Sequence, residues 1–83
     1  MYKVRKREGK IVAFDISKIT DAILKAFEAE NKKYDESVID FLALKVTADF
    51  QDKIENDIVG VEDIQDSVER VLISAGYADV AKA

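Results

Sequence analysis

Apolar residues along this chain recur first in twos and then in threes and fours. Residues 2–7, YKVRKR, alternate imperfectly: Tyr2, Val4 and Lys6 share one face, and Lys3, Arg5 and Arg7 share the other. Glu8-Gly9 predicts a tight turn, with Gly9 supplying a positive φ. Residues 10–14, KIVAF, form the return strand. A two-residue loop would set Arg7 opposite Lys10, Lys6 opposite Ile11 and Val4 opposite Ala13. The basic tips would then converge near the turn. A two-stranded hairpin is marginal alone, so it must pack on helices.

The rest of the chain supplies them. Ile16, Ile19, Ile23, Ala26 and Phe27 form one apolar stripe, with Asp15 as N-cap and Ser17 as its competitor. Asn31-Lys32-Lys33 ends that periodicity. Asp35 caps a second helix predicted over 36–55, whose stripe is Ile39, Leu42, Val46, Phe50 and Ile54, widened by Val38 and Phe41. Asn56, Asp57 and Gly60 read as a short loop. A third helix is expected over 62–75, with Val61, Ile64, Val68, Val71, Leu72 and Ala75 inward. Glu62, Asp63, Asp66 and Glu69 stay wet, and Gly76 terminates it. Residues 77–83 read as the start of a fourth helix that the chain does not finish, so the domain at 1–83 is expected to be truncated within its final helix. The expected fold class is α+β: an N-terminal β-hairpin or small sheet packed against a bundle of three to four helices.

Composition narrows the chemistry. The 83 residues include no Cys, His, Trp or Pro. A disulfide framework, a thiolate nucleophile and a zinc ribbon are excluded, along with the usual general base. Nothing has the spacing of a calcium loop. No apolar run approaches the roughly 20 residues that a membrane helix needs, and the start lacks the apolar segment of a secretory signal. An intracellular, soluble domain is expected.

The net charge of −4 hides an asymmetry. Lys3, Arg5, Lys6, Arg7 and Lys10 face a single acid, Glu8, within the first ten residues, while the remainder is strongly acidic. A small cationic patch in an acidic protein suits a compact anion such as a nucleotide. It suits a long duplex poorly, so no direct contact with nucleic acid is expected. The same charges could merely blunt an exposed strand edge.

Lys6, Arg7 and Gly9 are the densest candidate site. Two cations beside a turn can hold a phosphate, Arg through its fork and Lys as a point charge. As neighbours on a strand they would point to opposite faces and clasp it from two sides. Asp15 and Lys18 open the first helix. Asp15 could accept from a sugar hydroxyl or a base amine, or serve only as a cap. Val4, Val12, Ile16 and Ile19 are core residues of which one edge could line a base pocket. Gln65, polar near the start of a mostly apolar helix face, could read a base edge. The acidic pairs at 35/36 and 62/63 look like dipole-matched helix starts rather than a catalytic pair.

The run VRKREGKIVAFDISKI with the following DAILKAFEA resembles the ATP-cone domain, a regulatory nucleotide-binding module of ribonucleotide reductases. The domain also occurs in a transcriptional repressor of reductase genes. LALKVTADFQDKI, VEDIQDSVERVL and AGYADVAKA look most like the anaerobic, glycyl-radical ribonucleoside-triphosphate reductases. The resemblance covers nearly the whole chain. It implies that Lys6 and Arg7, flanking Gly9, contact nucleotide phosphates, with Asp15 and Lys18 in the same site. Val4 and Ile16 would line the pocket. Val61 would lie near the base, where some members have Thr, and Gln65 would sense the nucleotide. The implied ligand is ATP or dATP as allosteric effector, accompanied by Mg2+, with no catalysis by the domain itself. The implied partners are the catalytic domain of the same polypeptide and further copies in a homo-oligomer, in the cytoplasm, without membrane or nucleic acid. An assembly domain without nucleotide binding, or the cone of the repressor, are the alternatives.

Overall fold

A computed structural model of the chain describes residues 2–82. Strands β1 (Lys3–Arg5) and β2 (Ile11–Ala13) form the hairpin, followed by helices α1 (Ile16–Ala29) and α2 (Glu36–Asp49). After a 3-10 turn at Gln51–Lys53 come a third strand, β3 (Ile58–Gly60), helix α3 (Val61–Ser74) and a short α4 (Ala78–Ala81). The α+β architecture is the expected one: a small sheet packed against a helical bundle. No helix among the described residues is long and apolar enough to cross a membrane.

Two expectations about the sheet need correction. The first is register. Val4 pairs with Val12 and Arg5 with Ile11, one residue off the expected pairing. The Lys6 N–H donates to the Lys10 carbonyl at 2.8 Å and the Gly9 N–H to the Lys6 carbonyl at 2.9 Å. The loop therefore holds three residues, Arg7, Glu8 and Gly9, and Gly9 takes φ +90°. Three-residue hairpin loops end on such a left-handed residue, which only glycine adopts without steric cost.

The second is the expected loop at 56–60, which contains a strand. Asn56 and Asp57 both adopt left-handed backbone, with φ 52° and 63°. They reverse the chain between Glu55 and Ile58, whose amides and carbonyls exchange two bonds of 2.9 Å. The Asp57 carbonyl also accepts from the Lys3 amide at 2.7 Å. β3 is thereby laid parallel to β1, in the order β2-β1-β3. Three residues are too short to show an alternating pattern.

The helices bury most of their predicted stripes, but Ile16, Phe41 and Ala75, each expected inward, are exposed, Ala75 because α3 ends at Ser74. Ile19, Ile23 and Phe27 of α1, Ile39, Leu42 and Val46 of α2, and Ile64, Val71 and Leu72 of α3 form one core with Val4 and Val59 of the sheet. Asp15 and Asp35 cap α1 and α2, each accepting from the amide and hydroxyl of the serine two residues on. α2 stops at Asp49 rather than about 55, and Phe50 becomes its fully buried C-cap. Phe50 meets the rings of Tyr2 and Phe14, each at 5.9 Å, and so ties the root of the hairpin to the bundle.

α1 and α3 end in the same way. In α1, the amides of Asn31 and Lys32 return to the carbonyls of Glu28 and Phe27; in α3, those of Gly76 and Tyr77 return to Ile73 and Leu72. Both are left-handed terminations that satisfy the last carbonyls. The α3 termination turns Tyr77 onto Phe27 at 5.0 Å and seats Val80 of α4 in the core.

Candidate functional site

Register decides which cations meet. Side chains alternate across a strand, and directly opposed residues share a face. Lys6 and Lys10 lie opposite each other and two residues beyond Val4 and Val12. They therefore extend the face that packs on the helices, whereas Lys3, Arg5, Ile11 and Ala13 belong to the outer face. Like charges directly opposed across two strands are unfavourable by roughly 0.2–1 kcal/mol. That cost turns into attraction when an anion lies between them. Lys10 is the cation that the expected register misplaced.

Arg7 behaves differently from its expected role as a strand residue on the far face. Released from the pleat by the loop, it crosses to α3. Its Nη2 donates to Oε1 of Gln65 at 2.7 Å, and its Nε lies 3.8 Å from Oε1 of Glu62. This crossing is possible because β3 runs parallel to β1: Gly60 pairs with Arg5, so α3 begins beside the hairpin tip. Gln65 thus meets the hairpin arginine through its carbonyl oxygen. Val61, the first residue of α3, is half-buried against the core.

Asp15, Ile16 and Lys18 lie at the root of the hairpin, not at its tip. β2 runs from the tip toward the root, and α1 starts two residues after it ends. Asp15 binds the Ser17 amide at 3.0 Å and the Ser17 hydroxyl at 2.7 Å, both through Oδ1. These bonds, helped by Lys18, hold its carboxyl below the ordinary aspartate range. Asp15 is therefore a working helix cap as well as a candidate ligand. Lys18 is exposed one turn into the helix, and Ile16 is 37% exposed despite belonging to the α1 stripe. Among the described residues no hydrogen bond or ion pair joins Asp15 or Lys18 to Lys6 or Arg7. The tip and α3 are brought together; the opening turn of α1 stands at the other end of the same strands.

Val4 is buried in the core, while Val12 and Val61 are half-buried. Val61 stands beside the hairpin tip and the exposed Ile16 at its root. Two clefts open elsewhere. One lies between α2 and α3, lined by Lys45, Asp49, Arg70 and Ile73; the other lies at the outer edge of β3, lined by Arg5, Asp52, Glu55 and Asp63. Neither takes in Lys6, Arg7 or Asp15.

The ATP cone domain family matches residues 2–83, nearly the whole chain. This chain belongs to the ATP-cone family. An ATP cone is a small regulatory domain that binds ATP or dATP as an allosteric ligand and carries out no catalysis of its own. The cone is 40% identical over 80 residues to the vitamin B12-dependent ribonucleoside-diphosphate reductase of Mycobacterium tuberculosis, in both strain H37Rv and strain CDC 1551. The match covers 96% of this chain and 11% of those reductases, so the cone spans about a tenth of their length.

These relatives correct the expectation of an anaerobic, glycyl-radical triphosphate reductase. Of the segments that suggested that class, LALKVTADFQDKI spans the end of α2 and the 3-10 turn, VEDIQDSVERVL lies in α3, and the described part of AGYADVAKA forms the α3–α4 corner and α4. Their residues serve core packing, the Tyr77 turn and the contact with Arg7.

Proposed function

We propose that this cone is the nucleotide-sensing regulatory part of a vitamin B12-dependent ribonucleotide reductase, and that it takes ATP or dATP with the phosphates at its hairpin tip and the nucleoside toward the hairpin root. The observation that carries this reading is the cationic hairpin tip, where Lys10 stands opposite Lys6 and Arg7 reaches Gln65 of α3, with Asp15 at the root of the same hairpin. Charge orients the ligand. The phosphates belong at the tip, where the cations are. The nucleoside belongs toward the root, where an anionic carboxylate would repel phosphate but can accept from a hydroxyl or an amine. From Lys10 to Ala13 the strand covers roughly 10 Å, a span suited to one nucleoside triphosphate touching both ends.

Lys6, Arg7 and Lys10 would hold the phosphates, with Gly9 keeping the loop that presents them. Lys18 would add a cation near the root. Val4, Ile16 and Val61 would border the base, with Val61 giving a contact surface but no hydroxyl. Among the described residues no group of three or more acidic side chains is placed to hold a metal ion, so Mg2+ would arrive on the triphosphate.

Regulation requires that the two effectors bias two states of the whole enzyme differently. The partner in that equilibrium is the catalytic body of the same polypeptide, together with further copies of it, in the cytoplasm. Phe41 and Leu44 on the outer side of α2 and Ile73 on α3 are 58%, 60% and 50% exposed. They supply an apolar surface for such a contact.

Calorimetric titration of the 83-residue chain with ATP and dATP tests the binding half. Saturable binding that weakens at least about fivefold in both Lys6→Ala and Arg7→Ala is expected, since charge-assisted bonds contribute about 1.5–3 kcal/mol. Undiminished affinity in both variants would remove the site.

A further inference from the structure

Arg7 is engaged in the free domain, and by two groups of different kind. Gln65 accepts a hydrogen bond from Nη2 at 2.7 Å. Glu62, one turn earlier on α3, approaches Nε at 3.8 Å, beyond hydrogen-bond distance but within that of an ion pair. Gln65 is neutral and uses one of the five guanidinium donors, so it can remain in place when an anion arrives. Glu62 cannot do so without cost. A phosphate on the Arg7 fork would lie within a few ångströms of its carboxylate, and because both side chains are exposed the repulsion acts mainly at low salt.

We propose that Glu62 is a counter-charge that competes with nucleotide phosphate for Arg7 and sets the affinity of the site, while Gln65 is the neutral positioning residue that keeps Arg7 on α3 in both states. This rests on the reading that Arg7 receives phosphate. Glu62 is then an affinity-limiting residue, and its release from Arg7 links ligand arrival at the hairpin to the first turn of α3. The arrangement also explains why an acid stands beside a cationic site. In the first turn of α3 a carboxylate is favoured by the helix dipole whether or not a ligand is bound, so the competitor is held without a dedicated partner.

The test is titration of the 83-residue chain with ATP and with inorganic triphosphate, at low salt and at about 0.5 M salt. Glu62→Gln removes the charge and keeps the size. Glu69→Gln removes the same charge from an exposed position two turns further along α3 and controls for net charge. Glu62→Gln is expected to bind both ligands about three- to tenfold more tightly than the unsubstituted chain at low salt. Glu69→Gln should stay within about twofold, and the gain should shrink at high salt. The Nε–H resonance of Arg7 in the ligand-free chain, read by NMR, should move in Glu62→Gln and not in Glu69→Gln.

If Glu62→Gln binds no more tightly than Glu69→Gln while Arg7→Ala still weakens binding, the counter-charge role falls and the phosphate site stands. If the unsubstituted chain binds neither ligand, or Arg7→Ala binds as well as it does, both fall. Gln65→Leu, which keeps the volume and removes the acceptor, should weaken binding through loss of Arg7 positioning. Retained affinity in Gln65→Asn but not in Gln65→Leu would distinguish this from a packing role, and equal affinity in all three chains would overturn it.

Discussion

Replacing Lys10 by Gln should improve the free domain and impair the loaded one. Lys10 stands directly opposite Lys6, with the Lys6 amide bonded to its carbonyl at 2.8 Å. In such a hydrogen-bonded pair the Cα atoms are about 5.5 Å apart, and opposed like charges cost roughly 0.2–1 kcal/mol. Both residues are exposed, so the lower part of that range applies. Removing one charge should stabilise the ligand-free fold by about 0.3 kcal/mol. The same substitution removes a donor from the phosphates. A charge-assisted hydrogen bond contributes about 1.5–3 kcal/mol, and exposure reduces this to about 1–2 kcal/mol, or about five- to thirtyfold in affinity. Urea unfolding reads the first effect and calorimetry with ATP reads the second. Lys3→Gln is the control, because it makes the same change in net charge on the outer face of the sheet. It should alter ATP affinity by no more than about twofold. The difference between the two lysines should narrow as salt rises toward 1 M, where the screening length falls to about 3 Å. Two results would refute the reasoning: equal loss of affinity in Lys10→Gln and Lys3→Gln, which makes the effect one of net charge, or a Lys10→Gln chain that binds ATP normally while Lys6→Gln does not.

Two further outcomes concern backbone and titration. Gly9→Ala places a side chain at φ +90° with nothing within 4 Å of the new Cβ, so its cost is backbone strain alone, about 1 kcal/mol or roughly 4–8 °C in Tm; an unchanged melting temperature would contradict the left-handed loop. Asp15, Asp35, Asp49 and Asp79 all have carboxyls held below the ordinary range, the first two by their cap serines, Asp49 by Ser67 and Arg70, and Asp79 by Lys32. A depressed carboxyl stabilises the fold above its unfolded-state pKa and ceases to do so as pH falls through its folded-state value. Urea midpoints should therefore be level between about pH 6 and 8, where a chain without histidine titrates little, and should fall below about pH 4. A midpoint that rises on acidification would reverse the sign of the argument.

The local signals determined a great deal about this cone. Asp15-Ile16-Ser17 and Asp35-Glu36-Ser37 each carry both halves of a cap, and the structure forms both. The central residues of the α1 and α3 stripes reach the core because a 3.6-residue period leaves one face for burial, while Ile16 and Ala75 at the helix ends stay exposed. Phe41 belongs to the α2 stripe by sequence spacing, yet it is 58% exposed. α2 has apolar residues on two sides, and periodicity does not say which side the core takes. The family, too, was legible in the hairpin run and the α1 sequence, whereas the anaerobic class read from LALKVTADFQDKI, VEDIQDSVERVL and AGYADVAKA is overturned by the vitamin B12-dependent relatives.

Tertiary structure alone decided the rest. Glu8-Gly9 signals a turn, but whether two or three residues bridge it depends on which register buries Val4 with Val12, and one residue of slip exchanges every side chain between faces. That choice put Lys10 beside Lys6 and freed Arg7 from the strand. The strand at Ile58–Gly60 exists only because Asn56 and Asp57 accept left-handed backbone and β1 offers an unpaired edge. Its parallel placement carries the start of α3 to the hairpin tip, so residues 58 positions apart, Arg7 and Gln65, touch. Local propensity is a property of neighbours in sequence. The meeting of a loop and a helix across the fold is set by strand order, which no single segment contains.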